Sequence, residues 1–474
     1  MIHHANKTYA HLFVCVAGMI LLLARCSEKE NPVPETPEER PENVWIEQTM
    51  RRYYLWYDEI PAEDRLDATK EADEFFLSLL SPKDGKSDNN VHYYYSTIEK
   101  KSTDTKAFQG EGYSFGFEFQ YYRITSLDKY ALLVLYVLPG SPADNEGIKR
   151  GDWIMEIDNA PVPGDAASLL KALDTTTPVT VSFGVARDPR YTLTRKSVTA
   201  AAVEDNPVFL SKIINYKDRR VGYLVYNHFT AGPTDNSDDE RFNNSLRECF
   251  SRLKEGNPTD FILDLRYNGG GLVLSAQLLA TMLVNPGNIG DVFCRLTYNG
   301  NSNSYGAHTM YLDEKYMKQG SPGANLGLNT LYVITSRRTA SASEAVINGL
   351  RPYMNVLTVG EQTEGKNVGS VTFDDSRYEW ELHPIVSRLS NKDGFSDYDG
   401  GFEPDFPCSD ENADAYYELG DEREYMLLVA LKYMTGEIVP GTSSRSDMQT
   451  QQSLVPLYNS LDRKKSGGAR LDRL

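Results

Sequence analysis

The sequence predicts a multidomain α/β protein, and three observations carry that reading. From about residue 201 to 435, short apolar runs of strand type alternate with helical patterns: Val221–Tyr226, a helix bearing Phe242, Leu246, Phe250 and Leu253, the run Phe261–Leu265, then a helix through Leu274–Leu283. Such alternation specifies a mainly parallel sheet flanked by helices. From about 108 to 200 the pattern changes to strands and turns, and from about 43 to 107 Ile46, Met50, Tyr53 and Tyr57 recur at helical spacing. A chain of 474 residues with 40% hydrophobic content can bury more than one core.

The elements follow in order. After His3, His4 and Lys7, the apolar run Leu12–Ala24 has the length of a signal-peptide h-region and is too short to span a bilayer. Leu23-Ala24-Arg25-Cys26 resembles a bacterial lipoprotein cleavage box. Residues 1–25 are therefore expected to be removed and Cys26 acylated, giving an exported outer-membrane lipoprotein that faces the periplasm or the cell surface. Residues 26–42, rich in Pro and Glu, read as a flexible tether. Residues 43–107 read as a small N-terminal helical domain, in which the aromatic cluster Tyr53–Tyr57 is core packing rather than a ligand platform. Residues 436–474 are polar, with no periodicity over 442–452, and are expected to form a mobile tail.

Composition excludes several classes. A net charge of −18 argues against nucleic acid, which needs concentrated positive charge. Beyond the leader and Cys26 only Cys249, Cys294 and Cys408 remain, too few and too far apart for a disulfide framework, and the sparse histidines offer no zinc spacing. No metal or organic cofactor is implied.

The chemistry concentrates between Thr335 and Lys366. The apolar run Leu331–Ile334 precedes Ala345, Val346, Leu350 and Met354 at helical spacing, so Ser341 and Ser343 fall at a strand-to-helix turn. Free N–H groups and the positive end of a helix dipole there can stabilise an oxyanion. Ser341-Ala342-Ser343-Glu344 is equally a capping box, which would only satisfy the first helical N–H groups. Lys366 follows the apolar run Val356–Val359, and a lysine can serve as base only as the neutral amine. The same stretch matches the glycine and lysine positions of a phosphate-binding loop at Gly360, Gly365 and Lys366, but Asn367 stands where a magnesium-binding Ser or Thr is needed.

Thr339-Ala340-Ser341-Ala342-Ser343-Glu344, with Lys366 25 residues beyond Ser341, resembles the signature of the C-terminal processing, or tail-specific, serine peptidases. A second landmark of that family is present as Asp264-Leu265-Arg266-Tyr267-Asn268-Gly269-Gly270-Gly271. The resemblance, from about Trp45 to Met434, implies a crotonase-like ββα protease core, with Ser341 as nucleophile, Lys366 as base, and oxyanion donors from the backbone of Ala342 and of a glycine in the 269–271 run, chiefly Gly270. Ser370 stands where many members carry a glutamine that orients the lysine. Gly401-Phe402-Glu403-Pro404-Asp405 resembles the family's closing element.

Pro139-Gly140-Ser141-Pro142-Ala143, followed by Gly147-Ile148 and Gly151-Asp152, resembles a PDZ domain of bacterial proteases. That likeness implies capture of a polypeptide C-terminus as an added strand, its carboxylate held by the loop Ser114, Phe115, Gly116 and Phe117. Gly116 is expected where a ligand approaches the backbone closely. Phe115 and Phe117 read equally as core strand residues. The implied activity is peptide-bond hydrolysis by a Ser-Lys dyad, with polypeptide substrates recognised by their C-terminal region and a lipid anchor to the membrane. The alternative is a catalytically inactive, PDZ-containing peptide-binding lipoprotein.

Overall fold

The computed structural model describes residues 38–88, 91–101, 113–190, 192–233, 239–302, 308–318, 323–413, 415–438, 454–462 and 469–470. The leader, Cys26 and most of the tether lie outside these residues.

The N-terminal unit contains the expected helix, Pro41–Tyr53, which begins on proline and ends with Arg51 and Arg52 against its negative pole. Its apolar face, Ile46 and Met50 with Tyr54 just beyond, meets Phe75, Phe76 and Leu79. Tyr54 is fully buried and donates its hydroxyl to Asp84 at 2.9 Å, in keeping with core packing. The unit is not purely helical, however. Strand Thr97–Lys100 pairs with Trp380–His383, and the cluster extends to Val368, Leu382 and Ile385. A pairing across nearly three hundred residues leaves no local periodicity to read.

Residues 113–199 form an antiparallel sheet in the order 194–199, 180–186, 153–157, 129–137, 117–124. Its core gathers Phe115, Phe117, Phe119, Leu132, Ile154, Leu169 and Phe183. The sheet does not end at 117–124. Strand Leu454–Asn459 adds antiparallel to Phe117–Ile124, so the tail expected to be mobile is, over 454–462, part of this domain. The run Leu454-Val455-Pro456-Leu457-Tyr458 has ample strand propensity, and its partner is more than three hundred residues away.

The third unit is a six-stranded sheet ordered 208–216, 219–226, 260–264, 330–335, 355–360, 406–407, parallel after the first hairpin. Helices Arg241–Glu255, Val273–Leu283 and Ala342–Leu350 cover one face. Helix Tyr425–Met434 and Leu135 and Tyr136 of the antiparallel domain cover the other. Burial on both faces explains why these strands read as continuous apolar runs. Residues 269–271, Ser341 and Lys366 each follow the carboxyl end of a parallel strand, where open α/β sheets place their ligand sites.

Candidate active site

Ser341 occupies a backbone conformation that few side chains adopt, with φ +59° and ψ −113°. Such a conformation costs on the order of 1–3 kcal/mol and persists only where neighbours enforce it. Here the enforcement comes from Glu344. Its fully buried carboxylate accepts four hydrogen bonds: Ser341 N–H at 2.9 Å and Lys366 N–H at 2.8 Å on Oε2, and Gly365 N–H and the Thr363 hydroxyl, both at 2.6 Å, on Oε1. Burial pushes this carboxyl up to about 7, against the pull of the four donors. Glu344 thus does more than cap its helix. It ties the serine turn to the lysine loop, and the sequence showed only the capping half of that role.

The Ser341 hydroxyl is buried and bonds no other side chain among the described residues, with only the capping-box N–H of Glu344 turned toward it. Ser343 differs, because its hydroxyl donates to the carbonyl of Asn268 at 3.0 Å. The Ala340 N–H reaches the same carbonyl at 3.2 Å, which fixes the glycine run against the serine turn. Gly270, at φ +107°, lies so close that a Cβ there would sit 2.8 Å from Cβ of Ser341 and 3.1 Å from the Ala342 nitrogen. Ala342 is the first helical residue, whose N–H has no intrahelical acceptor. The Gly270 N–H, in contrast, donates to Oδ1 of Asn268 at 2.9 Å. The expected second oxyanion donor is therefore engaged in this conformation by an asparagine two residues upstream, a turn chemistry that asparagine favours.

Lys366 is buried, and its Nζ lies 4.7 Å from the centroid of the Tyr95 ring. The N-terminal unit grips the lysine loop further: Tyr93 donates its hydroxyl to Glu364 at 2.5 Å, and Lys86 Nζ donates to the Glu364 carbonyl. Burial, reinforced by the Glu364 charge, pushes the Tyr95 phenol well above its ordinary range. Nothing in the spacing of Tyr93-Tyr94-Tyr95 pointed to the lysine. Ser370 is buried on strand Val368–Ser370, paired with Ile385. The closing element also finds its place: a Cβ on Gly401 would lie 2.0 Å from the Thr363 carbonyl, and Asp405 accepts from the Thr358 N–H at 2.7 Å. It braces the strand and loop that carry Lys366.

The Asp264-Leu265-Arg266 landmark is anchoring rather than catalytic in position. Arg266 bonds Asp264 at 2.8 Å and Glu424 at 2.8 Å in the interior, and the partly exposed Asp410 at 2.9 Å. Arg150 of the antiparallel domain joins the cluster through Asp410 at 2.9 Å and the Tyr267 hydroxyl at 2.5 Å. Burial raises the Asp410 carboxyl, but the two guanidinium groups outweigh it and hold the carboxyl well below its ordinary range.

The loop expected to hold a peptide carboxylate packs against the domain core. Phe115 and Phe117 are buried and meet Phe183 edge-on in the domain core. Gly116, at φ +84°, is required by Ser141, since a Cβ would fall 2.1 Å from that residue's Cβ. Its N–H donates to Oγ of Ser114 at 2.9 Å. The close approach of Ser141 by itself requires glycine at this position.

Comparison with known proteins agrees with this architecture. The family model described as peptidase family S41 matches residues 220–408, the peptidase S41 N-terminal domain matches 42–109, and a PDZ domain matches 133–187. A crystal structure of an S41-type protease from Bacteroides fragilis NCTC 9343 superposes with a TM-score of 0.73 at 30% identity, covering 85% of this chain and 100% of that one. A carboxyl-terminal-processing protease of Picosynechococcus is 26% identical over 318 residues, 64% of this chain and 67% of its own length. The C-terminal processing peptidase of Tetradesmus obliquus is 26% identical over 257 residues, and the chain spans only 49% of that relative's length. The chain is a PDZ-containing member of peptidase family S41, of the serine protease class.

Proposed function

We propose that this chain is an exported, lipid-anchored endopeptidase that binds the C-terminal region of polypeptides with its PDZ domain and hydrolyses them with a Ser341–Lys366 dyad. The observation that carries the reading is the Glu344 carboxylate, which couples a strained, buried serine to the lysine loop at the carboxyl edge of the sheet. A non-catalytic peptide binder has no use for a serine held in that conformation.

In this reading the neutral amine of Lys366 takes the Ser341 hydroxyl proton as Oγ attacks the substrate carbonyl. The resulting oxyanion meets the Ala342 N–H and the Gly270 N–H, the latter exchanging Asn268 Oδ1 for the substrate oxygen. Collapse expels the amine fragment, which takes the proton from Lys366, and water then attacks the acyl ester with Lys366 again as base. Ser370 is assigned to orienting the lysine. Cys26 is assigned as the acylated residue after removal of 1–25, and mass spectrometry finding another mature N-terminus would remove the anchor.

The test compares peptides that differ only at their C-terminus. A free carboxylate engages donors that an amide does not, and charge-assisted hydrogen bonds contribute about 1.5–3 kcal/mol, so the free acid is expected to be cleaved about ten to a hundred times more efficiently. Equal cleavage would show that the C-terminus is not what the domain reads.

A further inference from the structure

The peptide-docking edge of the PDZ domain already holds a strand, and that strand comes from this chain. Leu454–Asn459 runs antiparallel to Phe117–Ile124, pairing Leu454 with Ile124 and Asn459 with Gln120, so it advances toward the loop that begins at Ser114. That is the edge and direction expected of an added peptide strand.

The contacts are specific along four consecutive side chains. Tyr458 packs on the cluster that contains Phe115, Phe117 and Leu169. Asn459 donates to Gln120 Oε1 at 2.7 Å. The Ser460 hydroxyl accepts from the Phe119 N–H at 2.8 Å and donates to the Glu118 carboxylate. Leu461 is buried beside Tyr136 and Tyr267, and it lines the cleft that also contains Gly269 and Gly270. Asp462 then pairs with Arg338, three residues before Ser341. Further on, Ala469–Arg470 pairs in parallel with Gly369–Ser370, the strand that follows Lys366. Residues 454–462 thus reach the docking edge and the cleft beside the glycine run, and residues 469–470 pair with the strand after Lys366.

The upstream half of the strand is held differently. Val455 and Leu457 leave 42% and 46% of their surface exposed, and Pro456 has no N–H to give the ladder. The strand is anchored chiefly by its downstream half, Tyr458 to Leu461, with Leu454 as the one upstream apolar contact, and its exposed middle adds little to that hold.

We infer that residues 454–462 are an internal ligand of the docking edge, so that the chain is self-occupied and its polypeptide substrates compete with its own segment. The inference rests on the proposed use of that edge for substrate. It also names the favoured ligand class: an extended peptide carrying an aromatic residue, then Asn, Ser and Leu, ahead of an acidic group. Tethering places the internal strand at an effective concentration on the order of millimolar, so a free competitor of moderate affinity is largely excluded.

The test uses the labelled peptide of sequence LVPLYNSLD and Ser341→Ala protein, so that binding is read without cleavage. A chain lacking residues 441–474 is expected to bind the peptide, and the full chain to bind it about tenfold more weakly or less. Tyr458→Ala combined with Ser460→Ala in the full chain should restore binding toward that of the shortened chain, and it decides the matter if the shortened chain fails to fold. Equal binding by the full chain and the double variant, or no binding by a shortened chain that unfolds cooperatively, would overturn the inference. Because no catalysis is involved, failure of the Ser341 assignment leaves this result standing. If C-terminal amidation of substrates changes nothing while the peptide still discriminates the two chains, the edge is an internal-strand site and the C-terminus-reading proposal alone falls.

Discussion

Ser341 and Lys366 are held by one atom: Glu344 Oε2 accepts the backbone N–H of both, at 2.9 and 2.8 Å. Glu344→Gln puts an NH2 group against donors on one side of the carboxylate and leaves buried N–H groups unpaired, a loss of about 1–3 kcal/mol for each group left unsatisfied. Hydrolysis is expected to fall at least about tenfold, since misplacing the proposed Ser341–Lys366 pair by a fraction of an ångström is costly. The pH dependence has a definite sign. Burial raises the folded-state carboxyl from its ordinary 4.5 to about 7, so the folded state binds the extra proton and stability from this group declines as pH rises from 4.5 to 7. Thermal unfolding of the two proteins should show the native chain's advantage over Glu344→Gln shrinking across that window and constant above it. An advantage that grows with pH would reverse the assignment.

Ser343 is two residues from Ser341, yet its hydroxyl is committed to the Asn268 carbonyl. Ser343→Ala is expected to cost about 1 kcal/mol of stability and to leave most of the activity, whereas Ser341→Ala abolishes hydrolysis with little change in melting temperature. Matched activity losses in a peptide-hydrolysis assay would mean that the two serines have been assigned the wrong way round.

Tyr95 lies over the Lys366 ammonium position from a different domain. Removing the ring with Tyr95→Ala exposes the buried lysine to water and so favours its charged form over the neutral amine, and kcat should fall about threefold to thirtyfold while KM hardly moves. Tyr95→Phe keeps the ring and should retain most of kcat. An equal fall in both variants would show that the Tyr95 hydroxyl, 3.4 Å from Glu364 Oε1, matters and the ring does not, and unchanged kcat in both would show that neither does.

Arg150 bridges the PDZ domain to Asp410, Glu424 and Tyr267 in the protein interior. Arg150→Leu leaves buried carboxylates short of a partner, and about 3–5 kcal/mol of stability should be lost. Chemical denaturation followed by intrinsic fluorescence measures this directly, and a loss below about 1 kcal/mol would show that water reaches the cluster.

Much of the site was legible because its parts are local. The strand-turn-helix around Ser341, the strand before Lys366 and the run Gly269–Gly271 each announce themselves within a dozen residues. What the sequence concealed are the partners brought from afar. Glu344 looked like a cap, since its bonds to Thr363, Gly365 and Lys366 cross a helix and a strand. Tyr95, the strand at Thr97–Lys100 and the docking of Leu454–Asn459 depend on pairings hundreds of residues apart, which leave no periodic trace. Gly116 was visible as a special glycine, but a neighbouring Ser141 and an approaching ligand impose the same requirement on a sequence.

The central claim is that Ser341 is an activated nucleophile, and labelling with a mechanism-based serine probe followed by peptide mapping tests it most directly. The predicted result is a single modified peptide containing Ser341, with labelling lost in Lys366→Ala protein that still melts cooperatively. Labelling at Ser343, or labelling of Ser341 that is undiminished without Lys366, would contradict the account.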